Sequence, residues 1–150
     1  LVSKEVIPDS NNKNYLQQTK RMIDYVKDSV FKGKTMPKEY QDTLREFAEK
    51  KSGIQKLMND DWQKAAEMLA ELSINKLTRQ SPAEFIYDML AYFKNNKERL
   101  MEKMYTWTSR RASGGGLVDV GFFDADGANV LGDAPDYSDG YLGVAFSRSL

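Results

Sequence analysis

Cysteine and histidine are both missing from this chain of 150 residues. Without cysteine, there is no disulfide and no thiolate that could act as a nucleophile or bind a metal. Without histidine, the side chain that most often transfers protons near neutral pH is absent. We therefore predict that the protein is not an enzyme, with no catalytic residues, no cofactor and no metal.

Long apolar runs are also scarce. The longest, FIYDMLAYF at residues 85–93, contains the charged Asp88. It has about half of the roughly 18 residues that a membrane-spanning helix needs. We therefore predict no transmembrane segment and, at most, a peripheral association with a membrane.

Positive and negative charges balance over the whole chain but are unevenly placed. Residues 1–111 hold 21 Lys and Arg against 16 Asp and Glu, a net charge of +5, whereas residues 112–150 hold six Asp and one Arg, a net charge of −5. The zero total charge predicts no nucleic-acid partner. The acidic segment is expected either to lie against the basic part of its own chain or to face a charged partner, and both interpretations stay open.

Helical periodicity dominates residues 15–111, where apolar side chains recur at intervals of three and four residues. Signals for helix boundaries accompany this pattern. Pro37 fits the first turn of a second helix, and Asp61 is a good N-cap for a third. Gly33 marks the expected end of the first helix, and Gly53 an expected kink or break in the second.

The strongest local signal is SPAE at residues 81–84. Ser81 can accept the backbone amide hydrogen of Glu84 while the Glu84 carboxylate accepts that of Ser81. Pro82 stands in the first turn, where its missing amide costs nothing. A fourth helix is therefore predicted from Pro82 to about Thr108.

Four amphipathic helices with short connections predict a mainly α fold, an antiparallel four-helix bundle with a C-terminal strand and loop extension. The predicted organisation is an extended N-terminal arm at residues 1–14, a helical bundle at residues 15–111 and a glycine-rich acidic extension at residues 112–150. The predicted core of the bundle includes Leu69, Leu90 and Phe93.

The pattern changes to strand-like alternation after Arg111. Two apolar runs, residues 117–123 and 141–146, flank a stretch dense in turn-forming residues, which predicts a β-hairpin. The glycines at 114–116 are interpreted as a flexible joint between the last helix and this hairpin. Phe122 and Phe123 are consecutive, so they should point to opposite faces of a strand and need two covering surfaces.

The stretch DADGAN, which starts at Asp124, has carboxylate and amide oxygens of the kind that calcium prefers. It departs from the EF-hand loop because glycine stands at the fourth position and Pro135 at the twelfth, where a bidentate Glu is needed. We interpret it as an acidic turn. A weak ion site that uses Asp133, Asp136 or Asp139 is left open.

We predict that the extension binds other protein subunits. Its apolar side chains need a covering surface, and the acidic loop from Asp124 to Asp139 favours a basic one. Deleting residues 112–150 is therefore expected to leave the helices folded but to abolish assembly. The partner-binding residues are predicted to be Phe122, Phe123, Asp124, Asp126, Tyr137, Tyr141 and Phe146.

The segment NYLQQTKRMIDYVKDSV, residues 14–30, resembles the first helix of the PsbQ-type extrinsic subunits of photosystem II, which are small four-helix proteins of the thylakoid lumen. The chain begins with Leu1 rather than Met, as a processed mature protein, a separate domain or part of a longer chain would. This resemblance implies a non-catalytic extrinsic subunit of a photosynthetic membrane complex, located in the thylakoid lumen. Docking through the C-terminal extension is predicted from the residues of the extension and not from the resemblance.

A second resemblance covers residues 107–150. The ordered segments WTS, VDVGFF, GANV and GYLGVAFSRSL are similar to the end of C-type-lectin-like domains of the bacterial paralogous type. This resemblance implies an alternative function, a ligand- or ion-binding module whose C-terminal element is lectin-like.

Overall fold

A computed structural model describes residues 5–147. Residues 1–4 of the predicted arm and 148–150 of the predicted extension lie outside the described residues. The described residues form five α-helices and then four strands, in the order α1 Tyr15–Tyr25, α2 Lys38–Asp60, α3 Trp62–Glu71, α4 Ser73–Thr78, α5 Pro82–Asn96, β1 Tyr105–Arg111, β2 Leu117–Asp124, β3 Gly127–Asp133 and β4 Leu142–Gly143. In this part of the chain, no helix combines the length and the apolar character needed to cross a bilayer.

The first helix begins at a capping box, in which Asn14 and Gln17 exchange side-chain and backbone hydrogen bonds. After α1, the chain continues as a π-helical segment, Val26–Val30. The helical path ends before Gly33, which has a φ of +69° that glycine adopts without strain. The predicted end at Gly33 is thus confirmed.

The predicted start signals of the later helices are confirmed. Asp61 accepts the amide of Lys64 at the start of α3, and Ser81 and Glu84 form the capping box of α5. At Gly53, where the sequence predicts a kink or a break, there is no break, because α2 runs without interruption from Lys38 to Asp60.

The predicted fourth helix is too long. It ends at Asn96, where Lys97 adopts a left-handed backbone conformation with a φ of +61°. Residues 105–111, predicted as its last turns and the end of the bundle, form β1 instead. A C-terminal cap of this kind is usually glycine, and a lysine in this position gives no sequence signal.

From Tyr105 onward the chain forms a mixed four-stranded sheet with the order β3-β2-β1-β4. The predicted hairpin of residues 117–123 with 141–146 is wrong, because β2 pairs with β1 and β3, whereas β4 pairs with β1. The pairs β1–β2 and β2–β3 are antiparallel. The last strand returns to the far edge and pairs with β1 in parallel. The fold is therefore a set of helices followed by a mixed sheet, which corrects the prediction of a mainly α bundle with a hairpin.

Helices and sheet share one hydrophobic core. Trp107, Leu117 and Leu142 of the sheet are buried in the same cluster as Tyr15 of α1 and Leu69 of α3. The extension thus fills part of the core that the helices surround, rather than forming a separate appendage.

The fifth helix packs on the other face of the sheet. Phe85 and Met89 are buried there against Val118 and Val120 of β2. The prediction that Leu90 is a core residue is wrong, because its side chain is 52% exposed. Of the other predicted core residues, Leu69 is fully buried, and Phe93 packs half-buried against the α5 cluster.

The described part of the N-terminal arm runs beside the end of the chain. The Ile7 amide donates to the carbonyl oxygen of Val144 at 2.8 Å. The buried Gln18 side chain joins both segments by donating to the carbonyl oxygens of Ser10 and Leu142, each at 3.0 Å. The arm therefore fixes the segment around β4, from Leu142 to Val144.

Candidate functional site

A cavity of about 110 Å³ opens on the face of the sheet away from α5. Asp119 belongs to this face because its neighbours in β2, Val118 and Val120, point toward α5, and strand residues alternate between faces. We call it the sheet cavity and define it by six lining residues: Tyr105, Asp119, Phe122, Asp133, Tyr137 and Tyr141.

An irregularity in β2 brings Phe122 into the cavity. The pairing register shifts between Gly121 and Asp124, and Phe122 has a φ of +45°, which non-glycine residues rarely adopt. The amides of Phe122 and Phe123 donate to the carbonyl oxygens of Met104 and Met101, at 3.0 and 3.2 Å. Such strain persists only where the surroundings enforce it, often at functional sites.

The two phenylalanines then serve opposite sides of the sheet. The Phe122 ring stacks on Tyr105, with 4.6 Å between ring centres, and meets the edge of Tyr141 at 6.0 Å. The Phe123 ring is buried against Phe93 of α5. The expectation that they need two covering surfaces is confirmed.

The segment between β3 and β4 forms the outer wall of the cavity, and Asp139 organises it. The carboxylate of Asp139 accepts hydrogen bonds from the Tyr141 amide at 2.8 Å and from the Tyr137 hydroxyl at 3.3 Å. The backbone carbonyl of Asp139 accepts the amide of Asn12 from the N-terminal arm at 2.9 Å. The Tyr105 amide donates to the carbonyl oxygen of Tyr141 at 2.7 Å, which ties the wall to β1.

Asp119 lies within the sheet, between Trp107 of β1 and Leu131 of β3 in the pairing register. Only 2% of its surface is exposed, and no N–H or hydroxyl group of the described residues donates to its Oδ2 atom. Burial, a hydrogen bond to the Asp133 carboxyl and the negative charge of Asp133 raise the pKa of Asp119 to about 7. A buried acid that titrates near neutral pH in a cavity is a common feature of functional sites.

Within residues 5–147, no basic side chain forms an ion pair with the aspartates around the cavity. The ion pairs within residues 5–147 all join side chains between Lys20 and Lys76. Partial burial and the charges of Asp139, Asp133 and Asp119 raise the pKa of the Tyr137 hydroxyl. In the described residues, the acidic segment packs against the helices through apolar contacts, as one of the two interpretations expects, but no ion pair joins its aspartates to the basic side chains, and the cavity is negative.

The structure separates the seven predicted partner-binding residues. Three of them, Phe122, Tyr137 and Tyr141, line the sheet cavity. Phe123 is buried on the opposite face, and Phe146 packs half-buried against Tyr25 of α1. The remaining two, Asp124 and Asp126, are exposed at the β2–β3 turn and do not line the cavity.

The turns explain two other sequence features. Asp124 accepts the Asp126 amide at 2.8 Å within the tight β2–β3 turn, so this end of DADGAN serves turn geometry. The glycines at 114–116 lie in the β1–β2 turn, where the Ala112 amide donates to the Gly116 carbonyl oxygen. The predicted joint between a helix and a hairpin is therefore wrong, because strands lie on both sides.

No group of three or more acidic side chains in residues 5–147 is arranged to hold a metal ion.

Sequence reasoning missed Tyr105 and Asp119 as site residues, and it considered Asp133 only for a weak ion site. The helical spacing that predicts a helix up to about Thr108 hides the position of Tyr105 at the start of a strand. Asp119 carries a signal, because it is a charged residue between valines in the apolar run LVDVGFF. A charge within a strand that is apolar on both sides must either be paired or serve a site.

Comparisons with protein families, with curated proteins and with solved structures gave no match to this chain. The geometry of the site therefore carries the functional argument.

Proposed function

We propose that this protein is a non-catalytic binding module that docks onto a partner protein through the sheet cavity and its rim. The observation that carries the proposal is the aromatic rim. Tyr141 and Tyr137 are 61% and 44% exposed at the mouth of the cavity, beside the exposed Leu131. Tyrosine is among the residues most enriched at the energetic centres of interfaces.

Rigidity of the rim supports the same function. The aromatic wall is fixed by amide hydrogen bonds that Tyr105 of β1 and Asn12 of the N-terminal arm donate to it, and by the Asp139 carboxylate, which accepts the Tyr141 amide within it. A surface that is ordered before binding loses little conformational entropy when the partner docks. The absence of histidine and cysteine from the sequence agrees with a role in binding rather than catalysis.

A module for a free small ligand is the second candidate, in line with the lectin-like resemblance. The observation that favours it is the concave shape of the cavity, since small ligands bind in concave, mainly apolar sites with a few polar groups. Membership of a photosynthetic membrane complex stays a prediction, because no feature of the described residues bears on the compartment.

Co-purification with matched variants tests the proposal. Tyr141→Ser removes an exposed ring from the rim, whereas Tyr87→Ser removes an equally accessible ring, 71% exposed, from α5. We expect one partner to elute in a stoichiometric complex with the wild type and with Tyr87→Ser, and to be lost with Tyr141→Ser. Retention by both variants, or loss with Tyr87→Ser alone, would place docking elsewhere and overturn the proposal.

A further inference from the structure

We propose that the sheet cavity binds an alkylammonium cation, which the partner presents as a lysine side chain. This inference rests on the proposed function, because the cavity is the docking point in both. It adds the chemistry of the group that enters: one positive charge on an aliphatic stem.

The first reason is the acidic floor of the cavity, which is the carboxyl group of Asp119. Asp119 is almost completely buried and its Oδ2 atom has no N–H or hydroxyl donor among the described residues. A carboxylate oxygen in this situation is costly unless a donor or a cation reaches it. Asp119 lines the cavity, so a donor or a cation can reach it through the mouth of the cavity.

The aromatic walls provide the second reason. Tyr105, Phe122, Tyr137 and Tyr141 surround the same space. The faces of aromatic rings attract cations, most strongly where water is excluded, and this is how proteins recognise ammonium groups. Aromatic rings also give an aliphatic stem apolar surface to contact, whereas a hydrated metal ion would gain little from them.

Size and charge agree with this occupant. A cavity needs a volume of roughly 10–15 Å³ to hold one water molecule. The sheet cavity, with about 110 Å³, therefore admits a group of several heavy atoms. The charged groups that face Asp119 are Asp133 of β3 and Asp139 of the outer wall, and the titratable hydroxyls are those of Tyr105, Tyr137 and Tyr141. Among the described residues, no basic side chain lines the cavity, so a cation is favoured over an anion.

Protons should compete with the ligand. Asp119 must be ionised to attract a cation, and its pKa is raised to about 7. An alkylammonium group stays protonated well above that pH. Binding should therefore be strongest above pH 7 and should weaken by about tenfold per pH unit as the pH falls below 7.

The direct test is an NMR titration of the wild-type protein with n-butylammonium chloride, which carries the charge and the stem of lysine. The matched probes are n-butanol, which has the stem without the charge, and calcium chloride, which has charge without a stem. We expect saturable amide shifts around Tyr105, Asp119 and Tyr137 with n-butylammonium alone. Equal binding of n-butanol, stronger binding of calcium at the same residues, or no saturable shift would overturn the inference.

Two further measurements assign the effect to the floor of the cavity. Asp119→Asn keeps the shape of the side chain and removes its charge, and it should weaken n-butylammonium binding at least about tenfold. Asp126→Asn, at the exposed β2–β3 turn, is the control and should leave binding unchanged. The pH series on the wild type tests the same point without any variant, and an affinity that does not fall below pH 7 would contradict a role for Asp119.

Failure of this inference can be told apart from failure of the docking proposal. If Tyr141→Ser abolishes the complex but n-butylammonium neither binds nor competes with the partner, docking stands and the ammonium chemistry is wrong. A different result is that n-butylammonium binds in the cavity but does not displace the partner, and that Tyr141→Ser leaves the complex intact. The cavity then binds a free amine, and the proposal that the ammonium group belongs to a lysine of the partner is wrong. If excess n-butylammonium displaces the partner, both are supported.

Discussion

The guanidinium carbon of Arg79 lies 4.0 Å from the centre of the Tyr15 ring, and both side chains are buried. Arg79 also donates to the side-chain oxygen of Asn75 at 3.0 Å and approaches the carbonyl oxygen of Trp107 at 3.4 Å. The Tyr15 hydroxyl donates to the carbonyl oxygen of Thr108. A buried charge held by a ring and by neutral acceptors thus joins α1 and the end of α4 to β1.

Replacing Arg79 by methionine should destabilise the fold. The substitution keeps much of the apolar volume but removes a desolvated cation–π contact, which is worth about 2 kcal/mol or more, and leaves buried acceptors without donors. Chemical denaturation measures the loss. Arg45→Met on the exposed side of α2 is the control and should change the free energy of unfolding by less than about 0.5 kcal/mol. Equal effects of the two substitutions would show that the Arg79–Tyr15 contact adds no stability.

The face that α5 turns toward the sheet leads to a second prediction. Met89 is buried against the sheet while Leu90, the next residue, is half-exposed. Met89→Ala should cost about 2–5 kcal/mol, since it leaves a cavity in the core, and Leu90→Ala should cost less than about 0.5 kcal/mol. The reverse order in thermal or chemical denaturation would mean that α5 presents the face predicted from the sequence.

The buried carboxyl of Asp119 predicts an unusual pH dependence of stability. Its pKa rises from the ordinary value of 3.8 to about 7 on folding, so the native state retains a proton that the unfolded chain releases. The stabilisation of the folded state by this retained proton is complete below pH 3.8 and is lost as the pH rises through 7. Asp119→Asn should remove this loss, and its stability relative to the wild type should increase by at most about 1.4 kcal/mol per pH unit over that interval.

Denaturation profiles of the two proteins between pH 4 and 8 check this sign. Asp126→Asn again serves as the control, and its difference from the wild type should stay constant over the same interval. Parallel profiles for Asp119→Asn and the wild type would show that Asp119 ionises at an ordinary pH. Addition of n-butylammonium should stabilise the wild type above pH 7, because a ligand of the native state shifts the folding equilibrium.

Removal of residues 112–150 should unfold the helices. The sequence alone suggests that this segment is dispensable for folding, but Leu117 and Leu142 are buried in the cluster that includes Leu69. Circular dichroism of the truncated chain should therefore show lost helix. A truncated chain with native helical signal would show that the helices fold without the sheet.

Local signals explain what the sequence could predict. The capping box at Ser81 and the N-cap at Asp61 act within one helical turn, so neighbouring residues determine them. The helical stripe of α1 and the strand character of residues 117–123 are likewise properties of short windows. These features were predicted correctly because no distant contact competes with them.

The start of the sheet was hidden because β1 continues the helical spacing of Leu100, Met104 and Trp107. Lys97 breaks that helix, and lysine has no preference for the left-handed conformation that it adopts. Because this spacing predicts a helix, the sequence does not reveal β1, which is the strand that pairs with both β2 and β4.

The cavity itself depends on contacts between distant segments. Tyr105 reaches Phe122 only because β1 and β2 pair, and Asp133 reaches Asp119 only because β3 lies beside β2. Phe122 could be selected because it stands next to Phe123 in a strand, and Tyr137 and Tyr141 because they are aromatic residues within or beside the acidic loop. The floor of the site could not be selected in this way, since its role comes from burial.

The Val144 amide donates to the hydroxyl of Ser10, which lies 134 positions earlier in the chain. Contacts that close so long a loop form late in folding, because their entropic cost must be met before they add stability. During synthesis, the helical segments can begin to form as they emerge from the ribosome, whereas the outer wall of the cavity must wait until Val144 has left the exit tunnel. If the cavity is the docking site that we propose, competence to bind would therefore be among the last properties that a newly made molecule acquires.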